Sequence, residues 1–162
     1  MNGDLIDRLN SRWREVLPEL DPSGLELVGR VLVLAQHLEK SVNTALAAHG
    51  LSLGQFDILA TLRRAEPEGR LTPTQLLQNI ALTSGGMTSR LDRLEQAGLI
   101  RREEDPGDRR GVVIVLTATG RSLIDAATAT RFAEATNSLP KMSAKEKREL
   151  ANLLRKWLSQ YS

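Results

Sequence analysis

Apolar residues recur along most of the chain at the three- and four-residue spacing of an α-helix. One amphipathic segment covers residues 5–16, and a longer one covers residues 25–48. The turn-forming sequence DPSG at 21–24 separates them, and His49-Gly50 ends the second segment. The first fifty residues are therefore predicted to form two helices.

Helix-capping motifs mark where further helices begin. In a capping box, a Ser or Thr and a Glu or Gln three residues later bond each other's otherwise unpaired backbone N–H groups. Three pairs fit this pattern: Ser52 with Gln55, Thr72 with Gln75, and Ser143 with Glu146. Thr117 is predicted to cap one more helix, which ends before Pro140.

Between the second and third of these boxes the chain changes from helical to alternating periodicity. The sequence TSGGMTSRLDRLEQAGL at 83–99 predicts a helix with Thr83 or Ser84 as its cap and Gly98 as its stop. The segments LIRREE and GVVIVL then flank DPGD at 105–108, whose Pro and Gly suit the centre of a tight turn. A β-hairpin with about six residues per strand is predicted here.

The short helix after Thr72, the turn at 80–83 and the next helix form a helix-turn-helix candidate, which the hairpin makes a winged one. On a helical wheel, the residues of the second helix that can pack on the preceding helix form one stripe: Met87, Leu91, Leu94 and Gly98. The candidate DNA contacts at the amino end of this helix are small: Ser84, Gly85, Thr88 and Ser89. Such residues suit the base edges and phosphates of a major groove, although an ordinary amphipathic helix is the alternative interpretation.

The hairpin tip supplies a second candidate contact. Arg109 and Arg110 are placed to enter a minor groove or to bind phosphate, and Asp108 can orient a neighbouring guanidinium. The alternative is a solvated loop of paired charges, because residues 101–110 contain four Arg and four acidic residues. Binding by this loop would therefore depend on how its charges are placed.

Composition excludes several classes of function. The net charge is only +2, and the last 22 residues, at +4, are interpreted as a solvated helix face. Without cysteine, and with two histidines that lie in no motif, thiol chemistry and metal sites are not expected. No signal peptide or run of 18 apolar residues occurs, so a cytosolic protein is predicted. An enzyme is the weakest interpretation, since no partnered nucleophile or phosphate-binding glycine loop is present.

The sequence LTSGGMTSRLDRLEQAGLIRREEDPGDRRGVVIVLTATG at 82–120 resembles the MarR family of winged-helix transcriptional regulators, and the helix order matches over nearly the whole chain. The resemblance implies a homodimer, held by the first long helix and the last two helices, on a pseudo-palindromic operator. The helix at 84–97 would lie in the major groove, and Arg110, supported by Asp108, would lie in the minor groove.

The predicted fold is therefore mainly α, a winged helix-turn-helix with a two-stranded β-wing and a helical dimerisation region. Residues 1–50 would form an amino-terminal helix and the first dimerisation helix. Residues 51–117 would form the DNA-binding lobe, and residues 118–162 the carboxy-terminal dimerisation helices.

A finer resemblance connects four residues that are scattered along the chain. Trp13, Asp57, Arg90 and Arg102 match, by their motif contexts, the ligand residues of the urate-responsive PecS-like branch of the MarR family. This implies a repressor that releases DNA on binding urate or a related purine, with no other cofactor. The sequence departs from the family pattern at Ser89, where Asn is frequent, which could alter operator preference.

The residue types suit a planar anion, and they also leave alternatives open. Two guanidiniums supply charge and directed donors, the indole of Trp13 can pack and donate, and Asp57 can accept from ring N–H groups. Trp13 could instead anchor a terminal helix, Asp57 could pair with Arg90 or Arg102 to hold the lobe, and Arg102 could contact phosphate. An aromatic carboxylate, a phenol or a small polycarboxylate is the rival effector. A winged-helix interaction module that does not bind DNA is the rival function.

Overall fold

The computed structural model describes residues 3–65, 69–80 and 86–161, apart from the side chains of Arg109 and Arg110. The helices in these residues are α1 (Leu5–Val16), α2 (Ser23–Ala47), α3 (Leu53–Arg64), α4 (Pro73–Asn79), α5 (Met87–Gln96), α6 (Ala118–Asn137) and α7 (Ala144–Leu158). The strands are β1 (Arg70–Leu71), β2 (Ile100–Asp105) and β3 (Asp108–Leu116). The architecture is mainly helical, as predicted.

The three predicted capping boxes all form, and each begins its helix at the expected place. In each box, the hydroxyl of the Ser or Thr accepts a hydrogen bond from the backbone N–H of the Gln or Glu three residues later. The side chain of that Gln or Glu accepts from the backbone N–H of the Ser or Thr. Thr117 also caps α6, with Oγ1 accepting from the N–H of Gly120 at 3.0 Å. A fourth capping box, formed by Asp4 and Asp7, begins α1. It was not predicted because both of its residues are Asp, whereas the common capping box pairs Ser or Thr with Glu or Gln.

Helix α5 begins later than predicted. Its first residue is Met87 and its N-cap is Gly86, so the prediction of Thr83 or Ser84 as the cap is wrong. Gly86 has a φ of 76°, a left-handed conformation that cannot belong to a right-handed helix. Ser84 and Gly85 lie outside the described residues.

The wing is a three-stranded antiparallel sheet in the order β1-β3-β2, so it has one strand more than the sequence predicts. Strand β1 is only two residues long and pairs Arg70 with Val115 and Leu71 with Ile114. Its existence depends on the free edge of β3, which no local pattern reveals. The predicted hairpin of β2 and β3 is confirmed, with Pro106 and Gly107 at its turn.

One hydrophobic core joins the helix-turn-helix to the long helices. Its fully buried members are Leu46 of α2, Ile58, Leu59 and Leu62 of α3, Leu76 of α4, Leu94 of α5, Ile100 and Ile114 of the sheet, and Ile124 of α6. The core therefore crosses both predicted domain boundaries. Helix α7 contributes no buried residue to it. Within the described part of the chain, no helix is long and apolar enough to cross a membrane.

Candidate DNA interface and effector cleft

Helix α5 presents a polar face to solvent and an apolar stripe to the core. Met87, Leu91 and Leu94 are buried, as the helical wheel predicts. Thr88 and Ser89 are exposed, within one turn of the glycine that begins the helix. This end of α5 can therefore approach another surface closely and offer it two hydroxyl groups.

The tip of the wing lies at the far end of the β2–β3 hairpin. Asp108 is exposed there as the first residue of β3, and its Cα partner is Asp105. The side chain of Asp105 bends over the turn, because its Oδ1 accepts from the N–H of Gly107 at 2.8 Å. Arg109 and Arg110 continue β3, but their side chains are outside the described atoms.

Arg102 joins the wing to helix α5. Its guanidinium donates to Asp92 at 2.7 Å and also to Glu95, and its backbone N–H donates to Glu95 Oε1 at 3.0 Å. The hydrogen bond with Asp92 raises the pKa of Arg102 above its usual value. These bonds fix the start of the wing against the last turns of α5.

A cleft of about 420 Å³ opens where α2, the start of α3, α5 and α6 meet. Arg90 of α5 lines it, and its guanidinium lies over Gly54 of α3. A Cβ built on Gly54 would lie 2.6 Å from Nε of Arg90, so a larger residue at position 54 would move the Arg90 side chain out of this position. Leu38, Val42 and Leu53 supply apolar walls, so the cleft combines a cation with hydrophobic surface.

Asp57 is half-buried on the face of α3 that also carries cleft-lining Leu53 and Gly54. Burial raises the pKa of Asp57, while Arg64, Arg131 and Arg90 act in the opposite direction. Its Oδ2 has no hydrogen-bond partner among the described residues. A buried acceptor in this state favours the arrival of a donor.

Arg131 of α6 is a site residue that the sequence analysis missed. It lines the cleft together with Arg90, and its Nη1 donates to Oε2 of Glu134 at 2.9 Å. In sequence, Arg131 and Glu134 are an ordinary i, i+3 pair on a helix of mixed polarity. The near-complete burial of the Glu134 side chain, 9% exposed, is the feature that distinguishes this pair, and it is visible only in the fold.

Sequence comparison agrees with this architecture. The MarR family profile matches residues 49–111. The HTH-type transcriptional regulator PecS of Dickeya dadantii is 35% identical over 149 residues, which are 92% of this chain and 90% of PecS. The chain belongs to the MarR family. It is therefore a DNA-binding transcriptional regulator of the MarR type, not an enzyme.

Solved structures of MarR proteins have the same fold. A mutant MarR from E. coli, complexed with operator DNA, is 25% identical to this chain and has a TM-score of 0.72. The alignment covers 96% of this chain and 99% of the E. coli chain. A putative MarR-like regulator from Bacillus cereus is 21% identical, with a TM-score of 0.78 over 88% of this chain and all of its own.

The structure brings together only part of the ligand set that the PecS-like pattern suggests for this MarR protein. Asp57 and Arg90 lie within electrostatic reach of each other beside the cleft. Arg102 instead contacts Asp92 and Glu95. Trp13 is half exposed on α1 and is not among the described residues that line the cleft.

Proposed function

We propose that this protein is a cytoplasmic, homodimeric repressor that binds a pseudo-palindromic operator and releases it on binding urate or a related purine anion. One observation carries the proposal. Arg90 belongs to the recognition helix α5, yet it lines a cleft whose other walls come from α2, α3 and α6. A ligand in this cleft contacts the helix that reads DNA and the scaffold that positions it, so binding can shift one against the other.

The DNA contacts in this proposal come from α5 and the wing. Thr88 and Ser89 would meet base edges or phosphates in the major groove, with Ser84 and Gly85 preceding them. Arg109 and Arg110 at the hairpin tip would enter the minor groove or bind phosphate, and Asp108 would orient a neighbouring guanidinium. A mutant MarR from E. coli with the same fold is complexed with operator DNA, which supports operator binding by this chain. Arg102 would then act through its ion pairs, which hold the wing at a fixed angle to α5.

Urate suits the cleft better than a carboxylate effector does. Urate is a planar monoanion that also carries ring N–H donors, so it can pair with Arg90 and with the unpartnered oxygen of Asp57. An aromatic carboxylate or a polycarboxylate offers only acceptors on its charged side, which would leave Asp57 without a donor. Trp13 is retained as a third contact on the strength of the PecS-like pattern alone.

The homodimer is supported by apolar surface that a single chain leaves uncovered. Leu153 and Leu158 of α7 are 65% and 67% exposed, and Phe132 of α6 is 72% exposed. Surface of this kind marks a protein interface when it is contiguous, and α2 and α7 supply a continuous apolar groove. The symmetry of a dimer would place two recognition helices on successive turns of DNA.

The deciding experiment measures affinity for the DNA immediately upstream of the protein's own gene, with urate titrated at fixed salt and pH. We expect tight binding with a steep salt dependence, lost as urate is added. Benzoate, an aromatic carboxylate without a hydrogen-bond donor, is the matched control and should leave the complex intact. Tight binding that ignores urate would contradict the effector, and weak binding without a salt slope would favour the interaction module.

A further inference from the structure

We propose that Arg131 of α6 is the second cation of the effector site, the role that the PecS-like pattern assigns to Arg102. The inference rests on the proposed function and adds a ligand-binding residue to it. Among the described residues that line the cleft, Arg90 and Arg131 are the two cations. They stand on different elements, one on the recognition helix and one on the long scaffold helix.

The surroundings of Arg131 favour an anion that also donates hydrogen bonds. Oδ2 of Asp57, which is within electrostatic reach of Arg131, has no hydrogen-bond partner among the described residues. Glu134 lines a different pocket, with Ala45 and Thr130, and is not among the described residues that line the cleft. Glu134 uses its Oε2 to bind Arg131. The guanidinium of Arg131 has five N–H donors and needs only part of them for Glu134, so it can donate to a ligand as well.

The charge distribution determines which ligands fit. Among the described residues that line the cleft, Glu39 is the one carboxylate, so one guanidinium alone would only neutralise it and offer an incoming anion no net attraction. Arg90 and Arg131 together give the described lining residues a net charge of +1, and the N–H groups of the ligand remain free to donate to the unpaired oxygen of Asp57. A planar N-heterocyclic anion meets both conditions.

Arg102 is less well placed for this role. Its side chain pairs with Asp92 and Glu95 on α5, and Arg102 is not among the described residues that line the cleft. A ligand held by Arg131, in contrast, connects α5 directly to α6 through Arg90. Effector binding would then change the distance between the recognition helix α5 and the scaffold helix α6.

The test is isothermal titration of the full-length protein with urate and, by competition, with hypoxanthine, a purine that is neutral at pH 7. We expect Arg131→Gln to weaken urate binding at least 10-fold and hypoxanthine binding much less, because only urate brings the charge. Arg131→Lys should give an intermediate loss, since it keeps the charge and the pairing with Glu134 but lacks the planar fork. Arg121→Gln, on the same helix and outside the described cleft lining, is the matched control and should stay within twofold.

Operator affinity without ligand and the oligomeric state are measured on every variant, so that a folding defect is recognised. If Arg131→Gln does not fold, Arg131→Lys decides. Urate affinity within twofold of wild type, or an equal loss for urate and hypoxanthine, would overturn the role of Arg131 while the urate-responsive repressor stands. Wild-type protein that binds no urate would overturn the proposed effector and this inference together. A larger loss in Arg102→Gln than in Arg131→Gln would return the second cation to Arg102.

Discussion

The burial of Asp57 affects both the stability of the fold and the proposed response to a ligand, in opposite directions. Burial raises its pKa, so the fold disfavours the charged form that an effector with N–H donors would use. A carboxyl of this kind contributes most to stability when it is protonated, and that contribution is lost as the pH rises through its folded-state pKa. Three nearby guanidiniums lower the pKa of Asp57, but burial has the larger effect; they belong to Arg64, Arg131 and Arg90.

We therefore expect Asp57→Asn to raise the melting temperature at pH 7 by about 1–3 °C while blunting the response to urate. The gain should shrink as the pH falls towards about 4, where the aspartate is itself protonated. Asp125→Asn is the opposite control, because its hydrogen bond with Arg63 lowers the pKa of Asp125 and that stabilisation is present at neutral pH. Thermal unfolding across this pH range measures both, and a lower melting temperature for Asp57→Asn at pH 7 would contradict the sign.

Among the elements, those defined by local chemistry could be predicted and those defined by distant partners could not. The capping residues Ser52, Thr72, Thr117 and Ser143 act on backbone groups within three residues, so their helices began where the sequence placed them. Strand β1 requires β3, which lies more than thirty residues later. The place of Arg131 in the cleft could not be predicted for the same reason, because Arg90, which lines the cleft with it, belongs to another helix.

Helix α6 depends on one glycine for its close contact with the start of the wing. A Cβ built on Gly120 would lie 2.0 Å from the carbonyl oxygen of Leu99, a backbone atom that cannot move aside cheaply. The same oxygen accepts from the N–H and the hydroxyl of Thr117, the cap of α6. The contact therefore joins the end of the DNA-binding lobe to the helix that carries Arg131.

We expect Gly120→Ala to lower the free energy of unfolding by about 2–3 kcal/mol, because α6 must shift and its cap is disturbed. Gly24→Ala is the matched control. Gly24 also lies in a helix, but a Cβ built on it would have nothing within 4 Å, so alanine there should be neutral or stabilising by about 0.5–1 kcal/mol. Urea unfolding measures both free energies. If both substitutions change the free energy of unfolding equally, helix propensity and not the contact with Leu99 determines the effect of Gly120→Ala.

At the scale of the whole molecule, the single chain leaves the apolar side of α7 uncovered. Helix α7 has no buried residue, although Leu150, Leu153, Leu154 and Leu158 give it an apolar side. Leu154 and Leu158 line an apolar groove of about 430 Å³ together with three residues of α2, which are Val28, Val31 and Leu32. Exposed apolar surface of this extent favours association with a second copy, in which α7 would become part of a shared core.

Leu153→Glu places a charge in the centre of the apolar side of α7, and we expect it to shift the protein from dimer to monomer in light scattering. Asn152→Glu adds the same charge one residue earlier, where Arg155 already pairs with the side chain, and should leave the dimer intact. If two recognition helices bind one operator jointly, as proposed, the monomeric variant should also lose at least 100-fold in operator affinity. The proposed urate cleft lies within one chain and should be unaffected. Retained dimerisation in Leu153→Glu would exclude α7 from the interface, whereas a monomer with full operator affinity would separate DNA recognition from symmetry.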